Sequence, residues 1–187
     1  FQIRTPAAMS DFLTAYEPAL RLGAFITVAL MMAGAEVWAP RRARSRTRRQ
    51  RWPVNIALTL VDTVLVRLIV PTAAVAGIAA WAGTRGIGLF NVLPVPEGLA
   101  LVLSVVLLDL MIYGQHVVFH LWRPLWRLHR VHHADLDVDF TTALRFHPAE
   151  ILLSVAIKAV AVVALGAPVA AVVVFEILLN GSAMFNH

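Results

Sequence analysis

The chain contains no cysteine, which excludes disulfides, thiolate metal sites and cysteine-ligated iron–sulfur clusters. Charge is scarce as well. Charged residues make up 14% of the 187 positions, against about a quarter in a soluble domain. Lysine is nearly missing, with Lys158 standing against fifteen arginines. No glycine-rich dinucleotide fingerprint or flavin motif occurs, so no reductase module is expected within these residues. A basic stretch followed by a short apolar core and a cleavage site is also missing, so no signal peptide is expected. Histidine is absent from the first 115 residues.

What is abundant is apolar. Hydrophobic residues are 59% of the chain and the mean hydropathy is +0.75, an excess that lipid would cover. A span needs roughly 20 apolar residues. The first candidate covers residues 19–39, with Arg21 and Glu36 near its ends. The second, residues 54–82, is too long for one straight helix and is broken by Pro71. A kinked helix or a helical hairpin would fit it. It carries Asp62 and Arg67, which are costly in lipid unless they face protein. A Gly/Pro-rich loop at 83–98 precedes a third span at 99–120. After a polar stretch at 121–150 come two short apolar segments, 151–165 and 168–185, parted by Gly166 and Pro168.

Seven of the sixteen basic residues fall between positions 41 and 51, the pattern of a cytoplasmic loop. No aromatic residue interleaves before Trp52, so nucleic acid is not an expected partner. With that loop inside, residues 121–150 also fall inside. The expected fold is an all-α, polytopic integral membrane bundle of about four to five spans, with a histidine cluster on its cytoplasmic face.

Six histidines, His116, His120, His129, His132, His133 and His147, occupy a window of 32 residues; the seventh is His187. His116 and His120 are four apart and share a helix face; His129, His132 and His133 have i, i+3, i+4 spacing, predicting one face again. Neutral imidazole is the commonest protein metal ligand. Asp109 and Tyr113 extend the His116 stripe and could accept the free N–H of a ligating ring. The competing role for Asp109 is an ion pair with a buried arginine such as Arg67. Bland readings stand beside the others: His147 before Pro148 is a helix start, and Arg123, Arg127 and Arg130 contact headgroups. Asp135, Asp137 and Asp139 face water, although one could orient a ligand, and Trp122 and Trp126 form an interfacial belt.

His116-x3-His120, His129-x2-His132-His133 and the run Thr141-Thr142-Ala143-Leu144-Arg145-Phe146-His147-Pro148-Ala149-Glu150 resemble the fatty acid hydroxylase/sterol desaturase superfamily in its bacterial form. The resemblance runs from about residue 51 to the end. It divides the chain into an N-terminal span with a basic loop (1–50) and a hydroxylase-like membrane domain (51–187). It implies a dinuclear, histidine-ligated site, taken to be iron with zinc able to substitute in a preparation, that uses O2 to hydroxylate or desaturate a lipid drawn from the bilayer. Carried over by position, His116, His120, His129, His132 and His133 are ligands, and His147 and His187 match further family histidines. The electron donor would be a separate protein, such as a ferredoxin with its reductase, and the location a bacterial inner membrane. The family has a further His-x2-His-His box beyond the position of His187. Together with a first residue Phe1 in place of Met, this leads us to expect a piece of a longer chain. Two other readings remain open: a membrane carrier of metal or haem, and an inactive scaffold of the same fold.

Overall fold

The computed structural model describes residues 7–40, 45–70 and 74–186, and every regular element among them is helical. α1 (Ala7–Trp38) covers the first expected span and begins well before it. α2 (Arg48–Ile69) and α3 (Ala74–Arg85) divide the second, with Pro71 lying outside the described residues. A short α4 (Leu89–Val92) sits in the Gly/Pro loop, and α5 (Glu97–Leu121) is the third span. α6 (Arg123–His129) follows, and α7 (Pro148–Leu165) and α8 (Val169–Asn186) form a closing hairpin.

Four of these helices are long and apolar enough to cross a membrane: α1, over residues 15–38, α2, α5 and α7. α5, with 25 residues, is about 37 Å long, enough for the roughly 30 Å of a bilayer core. The outward surfaces are apolar. Leu30, Met31, Leu60, Leu68, Val106, Leu110 and Val160 are all exposed, as lipid-facing positions would be. The inner surfaces are small. Ala76, Ala79, Ala82, Ala100, Ser104, Ala167 and Ala171 are buried and let the backbones approach closely. Around them Leu108, Val162, Val172 and Phe175 fill the core between α3, α5, α7 and α8.

The α7–α8 turn meets the loop at residues 86–88. Gly166 caps α7 with φ 63° and Gly88 has φ 100°, conformations that suit glycine. A Cβ on Gly88 would fall 2.2 Å from the Gly166 nitrogen, so two backbones touch there. This contact defines one end of the bundle. The opposite end carries the histidines.

Four charged groups inside the bundle form one network. Arg21 of α1 reaches Glu17 at 2.7 Å and Glu176 of α8 at 3.0 Å, and Lys158 of α7 also binds Glu176. Glu17 and Glu176 are each 2% exposed. Two acids and two bases thus balance one another between three helices. Asp62 is buried against protein, which meets the condition for keeping a carboxyl at that depth. Arg67, by contrast, is exposed rather than buried.

Candidate metal centre

α5 ends one residue after His120. Trp122 is extended, and Pro124 stands in the first turn of α6, where a missing N–H does no harm. The reversal brings His129, at the last position of α6, back against α5. The helix stops there, and residues 132–134 form a 3-10 turn. The i, i+3, i+4 spacing therefore does not sit on one helical face. His133 turns toward the cluster, while His132 stacks on Phe146 with ring centroids 4.6 Å apart and planes 5° from parallel.

One nitrogen from each of His116, His120, His129 and His133 lies within 4.8 Å of the other three. His120 Nε2 and His116 Nε2 are 3.1 Å apart, and His133 Nε2 and His129 Nε2 are 3.2 Å apart. Imidazoles bound at roughly 2.0–2.1 Å to one ion keep their nitrogens about 3–3.4 Å apart. The donor set therefore fits a metal ion, and imidazole suits iron, zinc, copper or nickel.

His129 is the most enclosed of the four, at 2% exposure. Its Nδ1 lies 2.6 Å from Oε1 of Glu150, which is also buried. A carboxylate only accepts, so Nδ1–H is the donor and Nε2 keeps its lone pair for the cluster. Sequence reasoning named Glu150 only as the end of the run that resembles the superfamily. Its position in the first turn of a helix opened by Pro148 was the available signal.

Aromatic rings wall the site. Phe119, 1% exposed, lies 5.7 Å from the His129 ring. Trp126 packs 5.2 Å from His120 and 5.8 Å from His133. It belongs to the site, whereas Trp122 is exposed as an interfacial residue would be. His120 and His133 form the open edge.

The remaining candidate residues lie elsewhere. His132 is buried beside the cluster but outside the four-nitrogen set. His147 caps α7, its Nδ1 accepting from the Ala149 N–H at 3.1 Å. His187 lies outside the described residues. Asp109 and Tyr113 are exposed on α5, and the carboxylate that engages a ring comes from Glu150 instead.

The aspartates after the second box do not simply face water. Asp139 is buried, and Arg51 binds Asp135 at 2.7 Å and Asp139 at 3.0 Å. Asp137 accepts from the backbone N–H groups of Ser45 and Arg46. Burial pushes the Asp135 carboxyl up, but hydrogen bonds from Asn55 and Arg51 outweigh it and hold the group below the ordinary carboxylate range. The Ser45 N–H, with Arg46 and the Ser45 hydroxyl, does the same for Asp137. These contacts tie the basic segment to the histidine end.

An all-helical membrane bundle with a cluster of imidazoles at one end defines a membrane protein with a histidine-box type of site. The fatty acid hydroxylase family model matches residues 101–187. That segment carries all seven histidines, and the match agrees with the superfamily that the boxes resemble. Searches of curated proteins and of solved structures find no match.

Proposed function

We propose that the protein is a membrane-bound, O2-dependent lipid hydroxylase or desaturase whose histidines hold a dinuclear iron centre. The observation that carries this reading is the convergence of four imidazole nitrogens within 4.8 Å, with Glu150 fixing the innermost ring. Bound iron would supply O2 activation for attack on an unactivated C–H bond. The chain's own groups orient the site and shield it. Glu150 holds His129 in one tautomer, while Phe119 packs on the buried His129 ring and Trp126 on His120 and His133. The apolar outer faces of the helices allow a lipid to approach from the bilayer. A second ion would draw on His132, His147 and His187, the histidines outside the four-nitrogen set.

Electrons would come from a separate donor such as a ferredoxin and its reductase. Arg123, Arg127 and Arg130 are exposed at the histidine end and suit an acidic partner. The basic segment shares that end, which favours a cytoplasmic orientation in a bacterial inner membrane. A haem carrier is less favoured, because the rings crowd at one end of the bundle rather than facing each other in pairs at depth.

The test is product formation by the full-length, iron-loaded protein in lipid vesicles with a chemical reductant and 18O2. Label in a lipid hydroxyl, or a new double bond, lost on His133→Ala, is expected. Product that survives His133→Ala, or none from the wild type, would leave the carrier or the scaffold.

A further inference from the structure

We propose that Asn55 and Arg51, on α2 and outside the segment matched by the family model, are positioning residues for the ligand turn at 129–133. This inference rests on the metal-site reading. The turn has little to hold it from within. Once the Arg130 N–H has closed α6 on Trp126 O at 2.8 Å, the remaining backbone bonds are long: Val131 N–H to Leu128 O at 3.2 Å and Ala134 N–H to Val131 O at 3.4 Å. It is gripped from outside instead. The Val131 carbonyl, between the two halves of the box, accepts from Arg145 Nε at 2.8 Å. Arg145 Nη1 reaches Asn55 Oδ1 at 3.4 Å. The Asn55 amide nitrogen donates to Asp135 Oδ2 at 3.0 Å and to Thr141 Oγ1 at 2.9 Å. Asn55 is fully buried, at 0% exposure, and every polar atom of its side chain is used.

Arg51 holds the far side of the turn. Its Nε and Nη2 fork onto the two oxygens of Asp135 at 2.7 and 2.9 Å, Nη1 reaches Asp139, and Nη2 also binds the Asp137 carbonyl. A planar fork of this kind fixes direction as well as distance. Asp135 follows the His132-His133-Ala134 turn directly, so the α2 contacts set where that turn begins and ends. The first two turns of an apolar span carry these polar groups because the ligand turn needs an external clamp.

The experiment is Co2+ titration of the metal-free, full-length protein in detergent, following ligand-field absorption. Asn55→Leu is expected to weaken Co2+ binding by about tenfold or more, the lower end of what outer-shell changes cost, and to shift the absorption band. Arg51→Lys keeps the charge but loses the fork, and should give a smaller shift of the same kind; it serves as the readout if Asn55→Leu does not fold. Val162→Ala, a cavity in the core near the other end of α7, should lower thermal stability and leave the band unmoved. Wild-type affinity and band in folded Asn55→Leu, or in Arg51→Lys if that is the one that folds, would overturn the inference while leaving the site intact. Failure of the wild type to bind Co2+ would overturn the site reading, and the positioning role with it.

Discussion

His129 and Glu150 show how much one hydrogen bond can decide at a buried site. Removing the carboxylate strands a buried ring N–H, at a cost of about 1–3 kcal/mol, and frees the imidazole to rotate. Glu150→Ala should therefore lower metal affinity about 10- to 100-fold with helical content retained. Glu150→Gln, which keeps an acceptor oxygen, should lose less; equal affinities in all three proteins would contradict the assignment. The aspartates lend themselves to a pH test. Asp135 and Asp137 titrate below their ordinary range when folded, so their stabilisation is complete above the unfolded carboxylate value of about 3.9. It is lost as pH falls through the depressed folded values. The thermal midpoint should drop below about pH 4, and Asp135→Asn should flatten that limb; an unchanged acid limb would refute it. The histidine spacing was readable in the sequence because a helix repeats every few residues. Glu150, 21 positions from His129, has no such local relation, and the split between His132 and His133 depends on where α6 stops.

The helices themselves were largely legible, since long apolar runs bounded by arginine, glycine and proline leave few alternatives. The segment 54–82 was not resolved by hydropathy, because two helices and one kinked helix have the same composition; α2 and α3 divide it. Pairings between helices were out of reach for the same reason. Glu176 and Lys158 are both lone charges in apolar runs, and only the packing brings Glu176 to Lys158 and to Arg21. This network fastens α1 to the closing hairpin. A second fastening is Glu36, which accepts from the Phe140 N–H at 2.7 Å. Arg21→Met leaves Glu17 and Glu176 buried with fewer partners and should cost about 3–5 kcal/mol, seen as a lower unfolding midpoint in detergent. Restoration by the further change Glu17→Gln, which leaves Glu176 paired with Lys158, is expected. A midpoint unmoved by Arg21→Met would show that the network does not fasten the helices.

At the scale of the whole molecule, two ends with different tasks are joined by an apolar belt. One end closes by backbone contact between Gly88 and Gly166, which needs no side-chain chemistry. The other gathers the basic segment, the aspartate clamp and four imidazoles. The bundle and its histidine-bearing end followed from hydropathy and spacing. The clamp did not, because its aspartates lie 80 or more positions from its arginine and asparagine and make no pattern along the chain. The central claim is that His116, His120, His129 and His133 bind metal. It is tested most directly by elemental analysis of the full-length protein purified from iron-replete cells, beside the variant carrying His129→Ala and His133→Ala. Stoichiometric iron in the wild type, lost in a variant that still inserts in the membrane and keeps its helical content, is expected. No stoichiometric metal in the wild type, or iron retained by the variant, would contradict the account.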